Sequence, residues 1–244
     1  MKLLVDIGNT RVKWACAEGD TLSGHDGFTY TRDTLAGLLA SHWRSLAQPE
    51  QVCIASVADT GTTAEVLVYT RKTWSLEPRQ AVTEKERAGL TNAYAQVSAM
   101  GVDRWLAMLA AWTRYKRPVC VIDCGTAITV DVILGDGRHA GGFILPGLLL
   151  TASTLERKTH GIQEHHEMTP ELEFGRSTSD CISNGFAFAL AGLVERCAAK
   201  TREEEGVELS FVITGGWAEQ ALPFLPGHYS HEPHLVLEGL SLIS

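Results

Sequence analysis

The chain has 244 residues, 45% of them hydrophobic and 20% charged. That is ordinary globular usage, which excludes a disordered, collagen-like or coiled-coil chain. A net charge of −8, from 29 acidic and 21 basic residues, argues against a nonspecific nucleic-acid binder, which needs a basic face to neutralise phosphates. A nucleotide stays open as a ligand, because backbone N–H groups and a metal ion hold phosphates locally.

Met1 to Val5 leads straight into a charged, glycine-containing segment, so no secretory leader is expected. The first apolar run, Leu3-Leu4-Val5, ends in Asp6-Ile7-Gly8-Asn9-Thr10. An apolar strand follows and reaches a turn at Glu18-Gly19-Asp20, the pattern of a β-hairpin. A helix is predicted from about Val102 to Tyr115, with Trp105, Met108, Leu109 and Trp112 on one face. It reads as a core or subunit-interface helix. The basic stretch Arg114-Tyr115-Lys116-Arg117-Pro118 ends it, since positive charge suits a helix C-terminus and proline forbids continuation.

Val119-Cys120-Val121-Ile122-Asp123-Cys124-Gly125-Thr126 then repeats the opening: an apolar run, Asp-x-Gly, a small polar residue, a strand and a turn at Gly135-Asp136-Gly137. Asp6 and Asp123 stand 117 positions apart, as do Gly8 and Gly125. Similarity at nearly half the chain length predicts two copies of one α/β unit, 1–117 and 118–244. The run Phe143 to Leu150 is far shorter than the roughly 18 apolar residues of a membrane span. A further helix is expected from about Asp180 to Thr201, with Ala187, Leu190, Ala191 and Val194 on its buried side. The charged patch Arg202 to Glu205 ends it, and Gly206 marks a turn. Leu209 to Thr214 reads as a buried strand running into Gly215-Gly216.

Six cysteines (Cys16, Cys53, Cys120, Cys124, Cys181, Cys197) form no C-x-x-C pair and read as reduced core thiols of a cytoplasmic protein. His165-His166 and His228-x-x-His231-x-x-His234 lack the helical spacing of a zinc protease. Pro226, Gly227 and Pro233 break the second group into loop, so these histidines are expected exposed or locally bonded. The acidic stretch Glu164 to Glu173 reads as a solvated loop or an interface edge.

The chemistry-bearing motifs are the Asp-Gly turns. In Asp6-Ile7-Gly8-Asn9-Thr10 the glycine admits close backbone approach, and Asn9 and Thr10 supply side-chain hydrogen bonds. Such a turn wraps phosphate oxygens with N–H groups. The aspartate suits a hard cation, and Arg11 and Lys13 add positive charge. Taken alone, the segment fits a tight hairpin turn equally. Asp123 to Asp131 is the second copy, and two facing Asp-Gly turns would clamp a polyphosphate between them. Neither is a Walker loop or a Rossmann fingerprint. Paired glycines in Thr214-Gly215-Gly216 permit flat contact with a base or ribose, or simply make a turn.

These features together resemble the acetate and sugar kinase, hexokinase and actin superfamily. Asn92-Ala93-Tyr94, Gly101-Val102-Asp103-Arg104-Trp105, Asp123-Cys124-Gly125-Thr126-Ala127, Gly141-Gly142-Phe143-Ile144-Leu145-Pro146-Gly147, Gly175-Arg176-Ser177-Thr178 and Asn184-Gly185 occur in that order. They resemble the type III pantothenate kinase family from Asp6 to Leu240. The resemblance implies two ribonuclease H-like (actin-like ATPase) halves with a nucleotide cleft between them. It implies ATP-dependent phosphorylation of pantothenate to 4′-phosphopantothenate, the opening step of coenzyme A synthesis. It assigns ATP phosphates to Asp6, Ile7, Gly8, Asn9, Thr10, Arg11, Val12 and Lys13, with Thr126 also on ATP. Asp123 would hold a monovalent cation, K+ or NH4+, and Mg2+ would accompany ATP. Tyr94, Gly101, Val102, Asp103, Arg104 and Thr178 would hold pantothenate, with Asp103 the catalytic base. Asp103 also reads as a helix N-cap. The segment Ala95-Gln96-Val97-Ser98-Ala99-Met100 lacks the proline and leucine that the resemblance implies there. A homodimer is implied, with the helix bearing Trp105 and Trp112 as contact surface, and neither nucleic acid nor membrane is an expected partner. Two alternatives carry other functions: a nucleotide-binding regulatory or accessory protein without turnover, and a kinase or phosphatase of the same superfamily acting on another small substrate.

Overall fold

Lys2–Ile7 forms strand β1, with Leu3, Val5 and Ile7 turned to one buried face and Leu4 and Asp6 to the other. The computed structural model describes residues 1–19, 21–159, 168–225 and 227–244. β1 pairs antiparallel with β2 (Arg11–Glu18), which pairs antiparallel with β3 (Thr21–Thr29). On its other side β1 runs parallel to β4 (Gln51–Ser56), and β4 to the short β5 (Arg79–Gln80). Helices α1 (Leu35–Trp43) and α2 (Thr60–Trp74) contribute Leu35, Leu39, Trp43, Val66 and Trp74 to one core with Leu3, Val5 and Ile7. Asp59 caps α2, its carboxylate accepting the N–H of Gly61 at 2.8 Å and of Thr62 at 3.0 Å. A small hairpin of β6 (Glu86–Arg87) and β7 (Leu90–Thr91) precedes α3 (Val102–Tyr115).

The second half repeats this plan. β8 (Val119–Cys124), β9 (Ala127–Ile133) and β10 (His139–Pro146) form an antiparallel meander. After α4 (Leu148–Lys158) and α5 (Thr178–Glu205), β11 (Ser210–Thr214) runs parallel to β8. The short α6 (Ala218–Ala221) leads to β12 (Tyr229–His231), parallel to β11. Both sheets have five strands, in the order β3-β2-β1-β4-β5 and β10-β9-β8-β11-β12. Each strand of the first thus has a counterpart at the same place in the second, and β1 and β8 begin 117 positions apart, at Lys2 and Val119. The internal echo is a duplicated fold.

The chain divides into two compact units, Met1–Arg114 with His234–Ser244, and Tyr115–Pro233. The expected division was 1–117 and 118–244. The difference lies in the last helix, α7 (Leu235–Ser241), which packs on β1, β2 and β4 of the first sheet. Its Leu235, Val236, Leu237 and Leu240 are buried there.

Helix α3 has the expected bounds, but it is buried almost all round, from Val102 to Trp112 with Asp103 alone half-buried. Trp105 is 0% and Trp112 6% exposed within one chain. The expectation that they offer a subunit contact surface is therefore corrected: both are core residues. Helix α5 runs on through the charged patch to Glu205. Lys200 pairs with Glu204 along its exposed face, and Arg202 reaches Glu208 beyond its end. Gly206, at φ +68°, stops it.

All six cysteines are free. His231 lies in β12, and His234, before α7, stacks on His25 at 3.8 Å. His165, His166, Asp20, Pro226 and the first part of the Glu164 to Glu173 stretch fall outside the described residues. No group of three or more metal-ligating side chains occurs among the described residues. No described helix is long and apolar enough to cross a membrane.

Candidate active site

Three segments carry the candidate residues, two in the first unit and one in the second. The first is the β1–β2 turn. Asp6, the penultimate residue of the strand, is 8% exposed, and Ile7 at its end stands opposite Val12 across the hairpin. The Gly8 N–H bonds the Arg11 carbonyl at 2.9 Å, closing the turn. The Tyr30 hydroxyl, from beyond β3, donates to the Gly8 carbonyl at 2.7 Å. Burial pushes that phenol up, the Thr62 hydrogen bond opposes the shift and Asp59 adds to it. Asn9, Thr10 and Arg11 are exposed and Lys13 half-buried, whereas Ile7 and Val12 are fully buried in the core. Only the backbones of Ile7 and Val12 are therefore available to a ligand.

The second segment builds on Tyr94 and the start of α3. The Arg104 guanidinium, 6% exposed, donates to the Tyr94 hydroxyl at 2.8 Å and lies 5.6 Å from the centre of its ring. Asp103 Oδ1 accepts the Arg104 backbone N–H at 2.7 Å in the first turn of α3. A Cβ added to Gly101 would lie 2.5 Å from that same oxygen and 3.5 Å from Val57 Cγ1. The Val57 N–H in turn bonds the Ile7 carbonyl at 3.0 Å. Val57 thus ties the Asp6 turn to the Gly101–Asp103 segment within one unit. Val102 faces the core.

In the second unit, Asp123, the penultimate residue of β8, is half-buried, with Thr129 opposite on β9 and Thr214 beside it on β11. This turn is tighter than the first: Cys124 pairs with Ile128, and Gly125 N–H bonds the Ala127 carbonyl at 3.2 Å. Thr126 is exposed, and its carbonyl accepts the Gly147 N–H at 2.9 Å. Gly215 sits at φ +97°, where an added Cβ would lie 2.5 Å from Asp123 Oδ1 and from the Cys124 carbonyl group. The Trp217 N–H bonds the Cys124 carbonyl at 3.0 Å. Three motifs far apart in sequence, Asp123–Thr126, the end of Gly141–Gly147 and Thr214–Gly216, thus meet at one turn. The donors around it are oxygen atoms, a carboxylate first, which suits a hard cation. Burial pushes the Cys124 thiol well above its ordinary range, so the sulfur beside Asp123 stays protonated. Thr178, the first residue of α5, is exposed, and Ser177 caps the helix by accepting the Asp180 N–H at 3.1 Å.

The sequence offered no sign of Tyr30 or Val57, whose roles at the first turn come through long-range contacts. Asn92 and Gly147 lay within motifs of the resemblance but carried no individual role.

A family model described as type III pantothenate kinase matches residues 2–200. Curated relatives bear the same description. One from Nitrosococcus oceani is 34% identical over 249 residues, spanning 100% of this chain and 94% of its own. Another from Dichelobacter nodosus is 35% identical over 243 residues, spanning 98% and 96%. Among solved structures, a conserved Campylobacter jejuni protein assigned to the Baf family of transcriptional activators superposes with a TM-score of 0.63 at 20% identity, covering 99% of this chain and 96% of that one. The activator of the 2-hydroxyisocaproyl-CoA dehydratase from Clostridium difficile, with bound ADPNP, gives 0.52 at 13% identity, covering 99% and 93%. At such identities the likeness establishes the fold alone, that of the actin-like ATPases and sugar kinases.

Proposed function

The chain belongs to the type III pantothenate kinase family and phosphorylates pantothenate with ATP in coenzyme A synthesis, and we propose that Asp103, Arg104 and Tyr94 are the residues that hold and activate pantothenate. The observation that carries this is the cluster at the start of α3. A buried guanidinium held by a tyrosine hydroxyl stands next to a half-buried carboxylate. Pantothenate offers a carboxylate and a primary hydroxyl, and a guanidinium fork matches the first. Asp103 then accepts the hydroxyl proton as that oxygen bonds the γ-phosphorus. The bond from the γ-phosphorus to the bridging oxygen of ADP breaks, and ADP leaves. Phosphoryl transfer depends on positioning and charge neutralisation, so a carboxylate of modest basicity suffices.

The exposed backbone around Gly8 to Arg11, with Asp6 and Lys13, is assigned to the ATP phosphates, with Ile7 and Val12 contributing main-chain atoms only. Thr126 is assigned to ATP and Thr178 to pantothenate. Asp123 is the residue that would hold a monovalent cation, K+ or NH4+, and Mg2+ would come with ATP. Such ions neutralise phosphate charge when bound. A cytoplasmic homodimer completes the reading.

The test is ADP release by purified protein with ATP, Mg2+, K+ and pantothenate, beside Asp103→Asn and beside sodium-only buffer. Pantothenate-dependent turnover lost in the variant supports the base, and turnover lost in sodium supports the cation. An Asp103→Asn enzyme as fast as the parent overturns the residue assignment, and full rate in sodium overturns the cation. Sedimentation of the purified protein tests the dimer, and cell fractionation its location.

A further inference from the structure

Asn92 is the one fully buried asparagine beside the proposed pantothenate residues, at 0% exposure. Nothing in the phosphoryl-transfer chemistry uses it. Burying an amide is costly unless its hydrogen-bonding groups are used, and both ends of this one are. Its Oδ1 accepts the Tyr94 backbone N–H at 2.9 Å. Its Nδ2 faces the Glu84 carbonyl at 3.5 Å and the Met100 sulfur at 3.4 Å. Its own carbonyl accepts Lys85 Nζ at 2.7 Å, and its N–H bonds the Lys85 carbonyl at 2.9 Å. One side chain therefore joins three stretches: the approach to the β6–β7 hairpin, the backbone of Tyr94, and the residue just before Gly101. The Thr83 hydroxyl adds a second tie to the Met100 carbonyl at 2.9 Å.

The ties form a closed circuit. Asn92 holds Tyr94, the Tyr94 hydroxyl holds Arg104, and Arg104 follows Met100–Asp103, which returns to Asn92. The segment 95–99 has only a short 3-10 turn over Val97–Ala99, with no residue buried. Nothing in that loop supplies the order that the circuit supplies.

We propose that Asn92 is a positioning residue for pantothenate recognition, setting the Tyr94 hydroxyl against Arg104. It acts through Tyr94 and does not itself touch substrate. The inference rests on the assignment of Tyr94 and Arg104 to pantothenate.

The test is a double-mutant cycle of Asn92→Ala and Tyr94→Phe, with KM measured separately for pantothenate and ATP. Asn92→Ala is expected to raise the pantothenate KM about tenfold or more and leave the ATP KM within about twofold. In the Tyr94→Phe background the same change is expected to add less than about threefold, because both substitutions break one circuit. A merely structural asparagine would lower the active fraction without splitting the two KM values. Equal effects on both substrates, or fully multiplicative effects in the cycle, overturn the proposal. If Tyr94→Phe leaves the pantothenate KM unchanged, the site assignment itself fails. If Tyr94→Phe raises it and Asn92→Ala does not, only the role of Asn92 fails. Asn92→Asp keeps the acceptor for the Tyr94 N–H and carries the test should the alanine variant not fold. A pantothenate KM within about threefold of the parent is then expected, and a rise as large as that of Tyr94→Phe overturns the proposal.

Discussion

Replacing Gly101 by alanine displaces the proposed base without removing it. Gly101 is not at positive φ, so alanine can adopt its backbone. The new Cβ would lie 2.5 Å from Asp103 Oδ1, against an ordinary contact of 3.4 Å or more. The carboxylate must therefore retreat by about 0.9 Å or rotate away, while Val57 Cγ1, 3.5 Å from the added Cβ, is already at ordinary contact distance. A misplacement of about 1 Å costs roughly 100-fold in rate. Asp103→Asn removes the base altogether and is expected to lower kcat by about 10²- to 10⁴-fold. The same change also removes a negative charge from the first turn of α3, a loss of about 0.3–1 kcal/mol. That shifts Tm by only a few degrees in a chain of this size. The assay is coupled ADP release at saturating ATP and pantothenate, with a thermal melt of each variant alongside. A folded Gly101→Ala enzyme with kcat within threefold of the parent would refute the argument that this carboxylate, in this position, takes the proton.

Gly215→Ala forces a Cβ against the backbone of Cys124 at φ +97°, and backbone cannot yield as a side chain can. A stability loss of about 1–3 kcal/mol is expected, read as a lower Tm, together with a raised KM for ATP; an unchanged melt and an unchanged KM would contradict the packing of that turn. Gly239→Ala drives a Cβ into the Leu106 carbonyl, which α7 abuts. Overpacking of this kind costs about 1–3 kcal/mol, and limited proteolysis should then cut the C-terminal segment first. Asp59 has its carboxyl held below the usual range, foremost by the Thr62 hydroxyl and then by backbone N–H groups. Its folded value lies below its unfolded one, so the cap stabilises above the unfolded pKa and is lost as pH falls through the folded one. The Tm gap between the parent and Asp59→Asn should be full at neutral pH and close on acidification, and a gap constant with pH would count against it. Cys181 alone among the six cysteines is exposed, while burial raises Cys53, Cys120, Cys124 and Cys197. A thiol reagent at neutral pH should therefore titrate Cys181 rapidly in the native protein and the buried four only on unfolding.

The duplication was legible in the amino-acid order, because Asp-Gly turns after short apolar runs are local signals. Helices α3 and α5 were legible for the same reason: a 3.6-residue period and a glycine or proline stop can be read without knowing any neighbour. The roles proposed for Asp103 and Arg104 came from the family resemblance of the Gly101–Trp105 motif. Other features needed the folded chain. Leu235 to Leu240 reads as apolar anywhere, and only packing decides that it covers β1, β2 and β4 of the first unit. The pattern of α3 shows one apolar face, while burial on nearly every side makes Trp105 and Trp112 core residues. Tyr30 on Gly8 and Gly215 against Asp123 are contacts between segments whose separation in sequence carries no trace of their meeting. Local periodicity and turn chemistry specify elements. Which buried surfaces and hydrogen-bonding groups then find one another depends on three-dimensional packing, which no short window of sequence contains.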